Sequence, residues 1–177
     1  MLMTRPAVCV LCIGMVLSPV LAQQTNPEIK PPEPASMNVV YFLDPSDQTL
    51  RPLPKDTAKV VTKRGFASAK GFIQIPGATS LLRLKSGHDL EFVIKCADPD
   101  KYELFPFTTG KDKREAMVSA AKAKFFGGVT TERKVGATVA VSKVGDMVYR
   151  FVVTAPEPGE YGFAVGWSVY GFGVDAK

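Results

Sequence analysis

The C-terminal stretch Met147–Asp175 constrains the fold most. It reads as strand, corner, strand, tight turn and strand: Met147–Thr154, Ala155–Glu160, Tyr161–Trp167, then Ser168–Asp175. Side chains alternate across a strand with a period of two, so Met147, Tyr149, Phe151 and Val153 share one face. On the next strand Tyr161, Phe163, Val165 and Trp167 share a face, and Gly162, Ala164 and Gly166 share the other. Such alternation buries nothing useful on a helix, whose period is 3.6.

The same punctuation runs upstream. Asn38–Leu43, Thr49–Leu53, Ala58–Lys63, Phe72–Ile75, Leu81–Leu84, Leu90–Lys95, Tyr102–Phe107 and Ala137–Lys143 read as further strands. Turn chemistry separates them at Asp44–Asp47, Lys85–Asp89 and Ala97–Asp100. Pro52 lacks an amide donor and confines its strand to a sheet edge. Thr109–Lys113 reads as a hairpin tip, with a return strand from about Arg114 to Ser119. That arm is contested, because Arg114–Lys124 is rich in helix formers and a short helix competes. Residues 64–80 are less regular. No long amphipathic helix and no internal repeat interrupts the series, so the fold class is all-β, a β-sandwich.

The corner suggests more. Pro158-Gly-Glu-Tyr161 stands where a Greek-key corner would, and a tyrosine there returns its hydroxyl to nearby backbone. This resembles the tyrosine corner of immunoglobulin-like sandwiches and implies an immunoglobulin-like C-terminal half. The cysteine pair and the tryptophan position of antibody domains are missing.

Residues 1–22 read as a signal peptide. Arg5 gives the n-region one charge, Pro6–Leu21 is apolar except for Ser18, and cleavage falls after Ala22. The run is shorter than the roughly 20 residues a spanning helix needs, so no transmembrane segment remains after cleavage. Residues 23–36 carry four prolines and read as an extended linker, and residues 37–177 as a single domain. Two of the three cysteines leave with the signal, so Cys96 has no intrachain partner and reads as a buried small hydrophobe. These features place the chain in the periplasm or outside the cell.

Charge excludes one class of partner. Without Arg5, 21 cations face 17 anions, a net +4. Lys111, Lys113, Arg114, Lys122 and Lys124 hold part of the excess, but Asp112 and Glu115 interleave. Nucleic-acid binders show a basic stripe with stacking aromatics, so none is expected here. The cluster reads as a solvated hairpin tip, with attraction to anionic envelope polymers or lipid as the sharper reading.

No catalytic pattern stands out. The chain has one histidine, His88, in a Ser-Gly-His-Asp turn, and no G-x-S-x-G elbow. A hydrolase with an unrecognised site stays the third reading. One histidine and one mature cysteine are too few for zinc, and no cofactor motif appears. Asp98 and Asp100 flank Pro99; turn formation explains them, with a Ca²⁺ loop as the alternative. Trp167, Tyr170 and Phe172 lie near the last turn and are read as completing the core. If exposed, Trp167 and Tyr170 would make a carbohydrate-binding surface. The glycines Gly162, Gly166, Gly171 and Gly173 admit either close backbone approach or a partner strand.

Val40–Asp44, Leu50–Leu53, Leu82–Gly87, Phe92–Lys95, Asp98–Tyr102, Lys113–Glu115, Phe126–Gly128, Val148–Arg150, Pro158–Tyr161 and Phe172–Asp175, in this order, resemble a group of uncharacterised secreted bacterial β-rich proteins. The resemblance implies a bacterial source, export and β architecture, and carries no activity. The expectation is a non-catalytic binding or structural module of the cell envelope. Its partner would be an envelope protein or polysaccharide, met through a sheet face or edge. No oligomeric state follows from the sequence.

Overall fold

The computed structural model describes residues 30–64, 68–124, 128–132 and 138–177. The expected signal peptide lies outside the described residues. Fourteen strands are seen, and the one helical element among the described residues is a 3-10 turn at Pro99–Lys101. The first seven strands are β1 (Val40–Leu43), β2 (Leu50–Pro52), β3 (Lys55–Thr57), β4 (Lys59–Arg64), β5 (Ser68–Pro76), β6 (Arg83–Lys85) and β7 (Leu90–Lys95). Then follow β8 (Glu103–Thr109), β9 (Lys113–Lys124), β10 (Gly128–Glu132), β11 (Val139–Gly145), β12 (Val148–Val153), β13 (Gly159–Val165) and β14 (Ser168–Asp175).

Two sheets form a β-sandwich. The first has the order β11-β12-β7-β1-β2, and the three-residue strand carrying Pro52 is its edge. The second runs β3-β14-β13-β8-β9-β5-β4, with β10 added to β9 and β6 added to β14. Between the sheets, Phe42, Phe92 and Phe151 of the first meet Tyr161, Phe163, Tyr170 and Phe172 of the second. Phe92 is the hub, 4.8 Å from the Phe172 ring and edge-on to Phe163 at 5.1 Å. Burying each such ring contributes about 1.5–3 kcal/mol, which suits a domain whose lone described cysteine, Cys96, is free and buried.

The second sheet is not flat. Its two end strands, β3 and β4, are separated in sequence only by Ala58, so Lys55–Arg64 is one bent run that pairs with β14 at one end and β5 at the other. The sheet therefore curls back on itself. Its concave side encloses a second core of Ala58, Ile73, Ile75, Phe105, Phe107, Ala116, Ala164 and Val169. Strands β13 and β14 are walls of both cores, which is why β14 is buried along its length except at the ends. Tyr170, Phe172 and Val174 face the sandwich, while Val169, Gly171 and Gly173 face the curl.

The contested arm is strand: β9 spans Lys113–Lys124. Pairing with β5, β8 and β10 overrides its helix propensity. The corner behaves as its sequence suggests, because the Tyr161 hydroxyl donates to the Glu157 carbonyl at 2.9 Å.

The second half of the expected linker is not free of the domain. Pro31 and Pro34 are buried, and Glu33 pairs with Lys95. Lys95 lies on the outer face of the first sheet, two residues from the fully buried Val93.

Candidate functional site

The curled sheet has a charged end and an apolar end. Arg114 enters the charged end from β9 and is 3% exposed. Its Nε donates to Gly77 O at 3.1 Å. Nη2 donates to Asp56 Oδ2 at 3.0 Å and Pro76 O at 3.2 Å. Nη1 donates to Glu160 Oε2 at 3.4 Å and to Ser80 Oγ. Glu160 also accepts the Ser80 amide at 2.8 Å, the Ser80 hydroxyl at 2.6 Å, and Arg83. Arg83 reaches on to Asp175 and holds that carboxyl below the usual aspartate range.

The glycines make room for this network. A Cβ at Gly171 would stand 3.1 Å from Arg114 Nη1, and one at Gly173 would run into the Arg83 guanidinium. Of the glycines that the sequence left open to a partner strand, Gly171 and Gly173 are therefore covered by arginines and Gly162 by Val169 and Phe107, while a Cβ at Gly166 would meet nothing within 4 Å. Each charged group in the network has a partner of opposite sign, with the two arginines bridging the three carboxylates. The network ties the loop between β5 and β6 across the end of the curl.

The opposite end is open. Val60, Ile73, Phe105, Val118, Ala164 and Gly166 line a cavity of about 370 Å³, with Lys101 and Glu103 at the rim. The volume lies within the range of small-ligand pockets. Beside it, Gly166 and Trp167 form the two-residue turn between β13 and β14. Gly166 has φ +55°, the left-handed conformation that a type II′ hairpin turn demands at its first central residue. The Trp167 carbonyl accepts the Ala58 amide at 2.8 Å, which pins this turn to the β3–β4 junction. The Trp167 side chain is nonetheless 67% exposed, and Val60 is 56% exposed.

Several sequence expectations change. Trp167 does not complete the core, because the turn interrupts the alternation that would have carried it inward. Tyr170 does: it is buried, and its hydroxyl donates to Asn38 O at 2.6 Å. The two therefore do not share one exposed surface. Lys111 is exposed at the hairpin tip as expected, and Lys113 is exposed and pairs with Glu115 at 2.9 Å. Arg114 is corrected from solvated tip to the centre of a buried network. Lys122 and Lys124 lie on β9.

His88 is exposed on the turn before β7, and Asp89 accepts the Ala155 amide at 2.9 Å. Asp98 caps the 3-10 turn by accepting the Asp100 amide, and pairs with Lys101 at 3.4 Å. Among the described residues no cluster of three or more metal-ligating side chains occurs, and no helix is long and apolar enough to cross a membrane. Sequence reasoning missed Val60, Ile73, Phe105 and Val118 as a group. The available signal was the small-residue face of β13, since Ala164 and Gly166 leave space where Tyr161 and Phe163 fill it. No protein-family model, curated protein or solved structure matches this chain.

Proposed function

We propose that the chain is an exported, non-catalytic binding module of the bacterial cell envelope, with an immunoglobulin-like C-terminal half, and that it meets its partner at the open end of the curled sheet. One observation carries this reading: Trp167, a large apolar side chain held on a pinned turn, is exposed beside an apolar cavity. Aromatic anchors of this kind dominate interface energetics. The mouth draws on the Gly-rich face of β13 and on the two stretches, 64–80 and 109–128, whose sequence packing explains least.

The test is capture from bacterial envelope extracts on immobilised protein. The reading expects a partner recovered above a denatured control and lost with Trp167→Ala and Val60→Asp. Recovery that neither substitution alters counts against the mouth.

A second reading, carbohydrate binding, keeps Trp167 as a stacking platform for a sugar ring. It no longer includes Tyr170. Quenching or shift of Trp167 fluorescence on titration with neutral oligosaccharides supports it, and an unchanged spectrum removes it.

A further inference from the structure

A different surface carries a separate inference. Directly paired residues on neighbouring strands share a face. Lys59 faces Gln74, which faces Glu115; Val61 faces Phe72, which faces Met117; and Lys63 faces Lys70. These residues lie on the outer side of the curl, opposite to Ile73, Ile75 and Ala116 of its core. Lys113, facing Pro76, belongs to the same side. Backbone register continues the face through positions 122 and 124 of β9, which pair with Ser68 and Gly128.

The face is strongly cationic and its charges are poorly balanced. Lys59, Lys63, Lys70 and Lys113 are exposed. Glu115 is the acid among them, and it pairs with both Lys63 and Lys113. Lys63 and Lys70 stand directly opposite one another, an arrangement that destabilises a sheet. Folding gains nothing from that pairing, so an external anion is its natural complement.

The face is also not purely ionic. Phe72 and Met117 lie among the lysines, and Lys63 Nζ sits 4.6 Å from the centre of the Phe72 ring. Lys70, Phe72 and Met117 form one wall of a groove of about 480 Å³, Pro158 and Tyr161 contribute to the other, and Glu115 and Glu160, each already held by two cations, also line it. Strands twist, so a flat bilayer would meet only part of this row, whereas a flexible chain follows it. A polyphosphate chain offers no apolar surface to the rings.

We propose that this outer face of β4, β5 and β9 binds a linear acidic polysaccharide. Its carboxylates lie against Lys59, Lys63, Lys70 and Lys113, and its sugar rings lie over Phe72 and Met117. The site shares no residue with the cavity beside Trp167, so either can fail alone.

The experiment is affinity measurement on the full chain with polygalacturonate oligomers, against dextran, inorganic polyphosphate and vesicles of phosphatidylglycerol. Polygalacturonate is expected to bind, and dextran not. The exposed double variant Lys59→Glu/Lys70→Glu should weaken binding by roughly tenfold or more and flatten its salt dependence. Phe72→Leu, which keeps apolar packing but removes the ring, should weaken it by about threefold or more. Trp167→Ala should leave it unchanged. Polyphosphate binding as tight as polygalacturonate with no effect of Phe72→Leu would reduce the face to an unselective cation patch. Preference for the vesicles would make it a membrane surface, and no binding of polygalacturonate, or binding indifferent to the double reversal, would overturn the proposal.

Discussion

Arg114 shows how much one side chain can hold. Its guanidinium serves the carbonyls of Gly77 and Pro76, the Ser80 hydroxyl and the carboxylates of Asp56 and Glu160. Arg114→Ala takes the guanidinium from Asp56 and from the Gly77 and Pro76 carbonyls, leaves Glu160 with Arg83 and Ser80, and should cost about 3–5 kcal/mol in urea denaturation. Arg114→Lys should recover little of this, since a compact ammonium cannot replace a planar fork. The sequence concealed this role because Arg114 sits among Lys111, Asp112, Lys113 and Glu115, while Asp56, Ser80 and Glu160 lie far along the chain. Trp167 is the opposite case: Trp167→Ala should change stability by no more than about 0.5 kcal/mol. As the chain's lone tryptophan, it should emit like a water-exposed indole and be quenched by iodide. Tyr102 titrates late because burial favours its neutral form, pushing its pKa from 10.0 to about 12. A raised value means the associated stability is complete below pH 10 and is lost as pH rises through about 12. Tyr102→Phe should therefore make the alkaline limb of the stability profile shallower.

At the scale of elements, β13 and β14 must pack closely on both faces. A Cβ at Gly162 would stand 2.7 Å from Val169 Cγ1 and 3.1 Å from Phe107. Gly162→Ala should cost about 1–3 kcal/mol by overpacking, measured as a lower midpoint with an unchanged denaturant slope. Strands with dense β-branched or aromatic runs, such as Val40–Leu43, Leu90–Lys95 and Ser168–Asp175, were legible from period and punctuation. Lys55–Thr57 was not, because it is short and polar and exists as a strand through pairing with Ser168–Tyr170. The extent of β9 was hidden too, since its alanines and lysines favour a helix until β5 and β10 supply hydrogen-bond partners. The same pairings create the lysine face, which no reading of one strand alone could assemble.

Across the whole molecule, the sandwich was readable, but the curl of the second sheet was not. Curling depends on Lys55–Arg64 pairing at its two ends with strands distant in sequence, which local pattern does not encode. Its effect is to fuse two cores through a common wall of β13 and β14. The described fold should therefore melt in one step, with Phe92→Ala in one core and Ile75→Ala in the other lowering the same transition in calorimetry. That common wall also sets a schedule. The strand Ser168–Asp175 completes both cores, so neither can close before that strand is in place. A polypeptide truncated after Gly166 should show no slowly exchanging amides. The whole interior thus waits on one strand, and the described strands before the Gly166–Trp167 turn share a single late act of closure.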